Sequence, residues 1–503
     1  MNNWRNPRHL KELCEEKFCS LIYRPFVIWT KTLSVSEAVQ WRIRLIVFQL
    51  MLKQCVELKE YLMSLPELAC KLLMEKIFKT VSAIIASYHL ALCSRLRNLD
   101  CRLQYEEVCL YMLRVVFLPC IKECNIRDIQ NVFVQELVSQ SLQTNPNITR
   151  LILPHIPTTK VENSVLSSFE SLAVLQEFNS EFGCTNDIVI ELGKHCKLLK
   201  VLDITGSKLV TNGCVQYILN MQNLEKLYVS ESSISETCYA LLISNLPRIQ
   251  NITWKGPVDF ILRKITKISI PSVNEFVGAV SDASLVRKVC PHVKYLSVCI
   301  QTGDAWDLVN LNNVEWLEFT SCDYNIQSLG IVFKYLGKRL VKLDMAAVKN
   351  VDITQIIRYC TVLEIFNVGL CEIVISEIFP LTTELRHFKS VKEIALVCNQ
   401  NVVYFLKILH LYENLESFYA EGVADLEHNT LSEIINAGGF RKLSKIRLCF
   451  CGLLTLQTAL LLIGRCGNLL VIGNLSAWYG VSVDDQNYLF DFVLTNNLAL
   501  SVV

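Results

Sequence analysis

The chain has 503 residues, 51% of them hydrophobic and 19% charged, which excludes global disorder and exceeds what one compact core needs. Its 49 basic and 48 acidic residues nearly cancel, so there is no basic surplus for a nucleic acid or an anionic membrane. The first eighteen residues are polar and charged, and the most apolar stretches, Leu45 to Leu52 and Val81 to Cys93, fall short of the ~20 residues a membrane helix needs. Neither a secretory leader nor a membrane span is expected. The 22 cysteines are scattered along the chain and several occupy apolar positions, so they are expected to be reduced packing residues in the cytoplasm or nucleus.

Residues 1–140 read as an all-helical region. Ser34 and Glu37 have capping-box spacing before an apolar-rich stretch that ends near Leu62. Leu65-Pro66 breaks that helix, and Glu67 to Lys79 restarts one with proline near its first turn. Helical stretches follow at Val81 to Leu96 and Glu106 to Phe117. Leu10, Cys14 and Phe18 recur every fourth residue and share one helical face, which a partner's groove could take.

From residue 141 to 475 the pattern changes. An apolar motif, Φ-x-x-Φ-x-Φ, begins at Ile148-Leu151-Leu153 and has a degenerate copy around Leu175 and Phe178. It returns at Leu199-Leu202-Ile204, Leu224-Leu227-Val229 and Ile249-Ile252-Trp254, with a weaker, close-set copy at Ile265-Ile268-Ile270. Eight further copies run from Val293-Leu296-Val298 to a fading one at Leu469-Ile472. Apart from one interval of 44, clear copies from Leu199 start 21 to 28 residues apart, the period of leucine-rich repeats. Strand alternation turns each Φ into the core and the intervening residues out of a parallel sheet. The expected fold is α/β: a solenoid of about 12–14 repeats with parallel strands on the concave face and helices on the convex face, after an N-terminal helical region. Thr211 to Leu219, Ser235 to Ser244 and Leu431 to Ala437 are three such helices, and residues 476–503 close the end as a cap. Residues 256–289 hold either a distorted repeat or a loop that leaves the solenoid.

Cysteines recur at two repeat positions. Cys196, Cys290, Cys360 and Cys466 lie three residues before the first Φ, and Cys322, Cys371 and Cys451 three residues after the third. This arrangement resembles the cysteine-containing leucine-rich repeats of substrate receptors of cullin–RING ubiquitin ligases. Leu10, Cys14 and Phe18 resemble the elongin-binding box of those receptors, and Leu65, Pro66, Leu68 and Leu72 resemble the cullin box, together a von Hippel–Lindau-type box. Leu65-Pro66 also resembles the start of an F-box. The resemblance implies a substrate-recognition subunit that engages elongin and a cullin at its N-terminus and holds a protein target on the repeats. The alternative is a leucine-rich-repeat adaptor or scaffold without a ligase link, its helices acting only as a cap.

No catalytic constellation accompanies the repeats. The eight histidines form no paired motif, and no phosphate loop or nucleophile elbow is present. Cys120 with Cys124 and Cys449 with Cys451 lack a second ligand pair, and Cys449 is expected to face outward. No enzyme activity, metal or cofactor is expected. The binding surface is instead the outward residues of the strands, where Tyr228, Tyr295, Trp316 and Tyr419 are candidate anchors beside Glu318, Asp344 and Arg447. The mixed charge of that row suits a protein ligand.

Overall fold

A computed structural model describes residues 41–64, 99–265, 269–375 and 390–502 without interruption, and residues 20, 23, 24, 27, 28, 76, 78–87, 89 and 267 besides. Leu10, Cys14, Phe18, Leu65, Pro66, Leu68 and Leu72, together with Ser34 and Glu37, lie outside the described residues. The chain divides into two units, Met1–Ile249 and Gln250–Val503.

In the first unit, the helices Trp41–Met63 and Leu99–Val116 pack on each other. They bury Cys55, Leu62, Val108 and Met112 almost completely. Leu99–Val116 also packs against the helix Val132–Ser141, which follows the first strand. Five parallel strands come next in sequence order, with Cys124, Leu151, Phe178, Leu202 and Leu227 in register. Each points inward and is at most 4% exposed. Burying one such leucine contributes about 1.5–3 kcal/mol, but a single coil cannot bury its own and needs the next against it.

The ladder begins earlier than residue 141. Its first strand, Glu123–Asn125, belongs to a repeat Ile121-Cys124-Ile126 whose middle apolar position is a cysteine. Burial pushes the Cys124 thiol up to about 12, so it packs as a small apolar side chain.

Among the described residues, the second unit holds an eleven-stranded sheet, also parallel with its strands in sequence order, and a small pair, Val351–Asp352 with Ile373–Val374. Leu343 lies opposite Leu317 on one side and Phe366 on the other, and Phe366, Ile394, Phe418, Ile446 and Ile472 continue that inward row. Parallel strands alternating with crossover helices identify both units as leucine-rich repeats. Within residues 256–289 the chain stays in the ladder. The strand Glu275–Val280 pairs with Asn251–Pro257 and Tyr295–Ile300, placing Phe276 opposite Ile252 and Leu296. The observed motif therefore lies eight residues beyond the close-set copy at Ile265, which follows the helix Asp259–Lys264. Its pattern is Val273-Phe276-Gly278, and the glycine hides it. A Cβ on Gly278 would lie 2.8 Å from Val258 Cγ1, which already occupies the space of the third apolar side chain. At the far end, the segment from 476 adds the helix Val483–Thr495 and a last strand, Ser501–Val502, parallel to Val471–Gly473.

The repeat cysteines have two structural roles. Cys196, Cys290, Cys360 and Cys466 are buried at helix C-termini, each with its N–H donating to the carbonyl four residues back. Cys371 sits in the turn after a strand, where its Sγ contacts the Gly369 and Met345 carbonyl oxygens at 3.2 and 3.5 Å and accepts from Val348 N–H. Asn399 holds the same place one repeat later, accepting from Cys371 N–H and donating to Val368 O. The residue needed there is one that can satisfy turn backbone from inside the core. Cys449 follows the inward Leu448 and lies in register with Glu421, on the outward face as expected, but it is only 9% exposed, at a strand end where Asn474 donates a hydrogen bond to it.

One backbone device recurs in register. Ser321, Ala347, Leu370, Cys398, Gly422 and Phe450 each follow a strand directly and have positive φ. Through that left-handed residue, each N–H reaches the carbonyl at the end of a neighbouring segment, as Leu370 does to Val397 at 2.7 Å. Non-glycine residues there store about 1 kcal/mol or more of strain, offset by an otherwise unmade backbone bond.

Two outcomes are expected. Gly278→Val restores the apolar pattern yet should destabilise the fold by about 1–3 kcal/mol through overpacking against Val258, seen as a lower urea midpoint than wild type. Among the described thiols, Cys398 should react with maleimide under native conditions long before Cys290, Cys360 or Cys371, as read by peptide mapping after timed labelling.

Candidate functional site

Strand alternation that buries every second residue presents the others on the opposite sheet face. In the second unit this brings Tyr295 beside Trp316, Trp316 beside Lys342, Glu318 beside Asp344, and Asp344 beside Asn367, all as register partners on adjacent strands. Their side chains form one connected cluster. The Tyr295 and Trp316 rings lie 4.1 Å apart between centroids, tilted by 36°. Tyr295 Oη donates to Glu318 Oε2 at 2.9 Å, and Trp316 Nε1 donates to Asp344 Oδ2 at 2.6 Å. Asn367 Nδ2 donates to the other Asp344 oxygen, also at 2.6 Å. Lys342 Nζ completes the cluster, 3.3 Å from Asp344 Oδ2 and 3.7 Å above the Trp316 ring.

This arrangement differs from a row of freely exposed aromatics. The Lys342 and Asp344 side chains are only 24% and 16% exposed, and Tyr295 and Trp316 are half-buried. Burial raises the Tyr295 phenol above its usual range, and the hydrogen bond to the Glu318 carboxylate adds to the shift. The tyrosine therefore remains a donor at any physiological pH. A cation over an indole contributes about 0.5–1 kcal/mol at a partly exposed site. Six side chains across four strands are thus held in place before any partner arrives.

The remaining sequence candidates are distributed elsewhere. Tyr419 and Arg447 face each other in register three and four strands beyond Asp344, counting along the ladder, but Tyr419 Oη is committed to Glu421. That hydrogen bond, followed by burial, raises the Tyr419 phenol. Arg447 is exposed, and its stem lies over Gly473, where a Cβ would meet Arg447 Cγ at 2.8 Å. Tyr228 is half-buried on the last strand of the first unit's sheet. Lys342 and Asn367 also lie between apolar positions of the motif and so face outward, but only register shows that they meet Trp316 and Asp344.

The first unit carries a polar cluster that sequence reasoning passed over. Arg127 reaches Asn179 by a hydrogen bond and Glu181 at 3.4 Å, while Asn179 Nδ2 donates to Glu181 Oε1 and Asp203 Oδ2, both at 3.0 Å. Asn179 and then Arg127 hold the Glu181 carboxyl below its ordinary value, whereas burial raises that of Asp203. Arg127 and Glu181 follow their strands and fall outside the Φ pattern, so no periodic signal marks them.

Among the described residues, no group of three or more His, Cys, Asp or Glu side chains could hold a metal ion. Nor is any helix among them long and apolar enough to cross a membrane. The geometry offers a polar, aromatic contact surface.

Searched by sequence, the chain matches no protein family and no curated protein. Solved structures similar to it include a leucine-rich-repeat protein of Leptospira interrogans, at 14% identity and TM-score 0.36, covering 73% of this chain and 98% of that one. The complex of Rad7 and Elc1 in yeast is similar at 15% identity and TM-score 0.36, covering 85% and 93%. An internalin C2 from Listeria monocytogenes str. 4b F2365 follows at 13% identity and TM-score 0.27, covering 52% and 91%.

The cluster makes a measurable claim. Trp316→Phe removes the indole donor and Asp344→Ala its acceptor, so their effects should not add. A double-mutant cycle in urea should yield a coupling of roughly 0.5–3 kcal/mol, whereas independent side chains would give additive losses.

Proposed function

We propose that this chain is a protein-binding receptor rather than an enzyme, and that its partner docks on the sheet face around Trp316. The observation that carries this reading is the interlocked Tyr295, Trp316, Glu318, Lys342, Asp344 and Asn367 cluster. Aromatic anchors fixed by hydrogen bonds lose little conformational freedom on binding, which is what makes a small set of residues dominate an interface. Tyr419 and Arg447 extend the surface along the same sheet, and Tyr228 supplies an anchor on the first unit's sheet.

In its finer form the reading is a substrate-recognition subunit of a cullin–RING E3 ubiquitin ligase, cytoplasmic or nuclear. Leu10, Cys14 and Phe18 would engage elongin, and Leu65, Pro66, Leu68 and Leu72 the cullin. Its support is the resemblance of those segments to the two boxes and of the repeats to the cysteine-containing kind. A second reading, an adaptor without a ligase link, is favoured by the packing of Leu99–Val116 on Val132–Ser141, which lets the helical region serve as a cap on the repeats.

Co-purification separates the two. The full chain expressed in cells should recover elongin and a cullin, and the pair Leu10→Ala with Cys14→Ala should reduce recovery at least tenfold while the thermal midpoint stays within a degree or so. Absence of both proteins from the wild-type eluate would reject the ligase reading and leave the adaptor reading standing.

A further inference from the structure

Charge is distributed unevenly along the second unit's sheet face. In the cluster around Trp316 every charged group is already engaged: Lys342 with Asp344, Asp344 also with Trp316 and Asn367, and Glu318 with Tyr295. That end offers a partner aromatic surface and little net charge. Five strands beyond Trp316 along the same sheet stands Lys445, in register with Ser417, and Arg447 follows two residues later on the same face. Both side chains are exposed, and among the described residues neither forms an ion pair or a side-chain hydrogen bond.

The neighbouring strands supply no counter-ion. Glu421, in register with Cys449, accepts from Tyr419 Oη, and Glu416, which precedes that strand, makes no ion pair with either cation. On the other side Val471 and Gly473 carry no charge. Arg441 and Lys442, just before the strand, are exposed as well, and Lys442 donates to the neutral Asn414 at 2.7 Å. Arg447 is nevertheless held in place. Its stem lies across Gly473, where a Cβ would meet Arg447 Cγ at 2.8 Å and Nε at 3.4 Å. Packing on a buried glycine thus orients a guanidinium whose planar fork suits a carboxylate through two parallel hydrogen bonds. Glu393 limits where the partner can be acidic. It is exposed two strands before Lys445, in one register row with Ser417, so a uniformly acidic partner would be repelled there.

We propose that the partner of this sheet face is a polypeptide segment with an apolar side chain against Trp316 and an Asp or Glu between Lys445 and Arg447. This rests on the sheet-face reading and adds the chemistry of the partner. Adjacent strands lie ~4.8 Å apart, so the two contacts are separated by roughly 24 Å, about seven residues of extended chain. The paired cluster fixes the position of the segment, and the unpaired cations select its charge and direction.

The test uses the full chain and a displayed library of random twelve-residue peptides as probe. Selected sequences should carry an Asp or Glu about seven positions from an apolar residue. Lys445→Glu and Arg447→Glu replace exposed side chains, so the thermal midpoint should hold while each weakens a selected peptide tenfold or more by fluorescence polarisation. Lys208→Glu, an equal charge change at an exposed position of the first unit, should stay within twofold. Replacing the peptide's acid by Lys should abolish binding to wild type and restore it at least tenfold on Arg447→Glu. Trp316→Ala, or Trp316→Phe should the alanine variant fail to fold, should also weaken the peptide. Loss on the Trp316 variant with both charge reversals within twofold of wild type would overturn the acidic contact and leave the sheet-face reading standing. Indifference to the Trp316 variant would reject that reading and the proposal with it. A library that returns no binder, or binders without an acidic residue, would likewise overturn the proposal.

Discussion

A leucine or phenylalanine on one face of a three- to seven-residue strand cannot be removed from water by its own coil. In this chain the inward residue of each inner ladder strand is covered by the inward residues of the strands before and after it, as Leu343 is by Leu317 and Phe366. Register is therefore the constraint from which the rest follows. A slip of one residue would expose the apolar row and bury the polar one. The same constraint places Trp316 next to Lys342 and Asp344 next to Asn367 on the outer face, so core packing and construction of the surface are one event.

The turns at the strand ends show how much local deviation that constraint tolerates. Leu370 and Phe450 adopt a left-handed backbone conformation that glycine or asparagine takes with less strain. They do so because the ladder requires an N–H aimed at the next coil. Cys371 and Asn399 fill equivalent turn positions with different chemistry, a thiol in one and an amide in the other, both bonded to backbone. Position within the coil selects the task, and several residue types can perform it. This explains why the repeat persists while its individual residues vary.

On the second unit's sheet, Asp344 accepts from both Trp316 and Asn367, so the polar groups are paired and the aromatic groups are rigid. That arrangement favours recognition by shape at low entropic cost.

The amino-acid sequence by itself determined the repeat, its period, the inward and outward assignment of most strands, and the packing role of cysteines such as Cys196 and Cys360. These are local matters, set by the two-residue alternation of a strand and repeated often enough to be read without coordinates. Where one side chain carried the signal alone, it was lost: Cys124 in place of leucine concealed the first repeat, and Gly278, excluded from carrying a side chain by Val258, concealed the one after Ile252. Among the candidate anchors, Tyr295, Trp316, Glu318 and Asp344 were legible as outward residues. Their union with Lys342 and Asn367 was not, because it depends on contacts between residues 23 to 28 apart in sequence. Tertiary structure alone decided those contacts and the cluster around Arg127, since each exists only where coils distant in the chain meet.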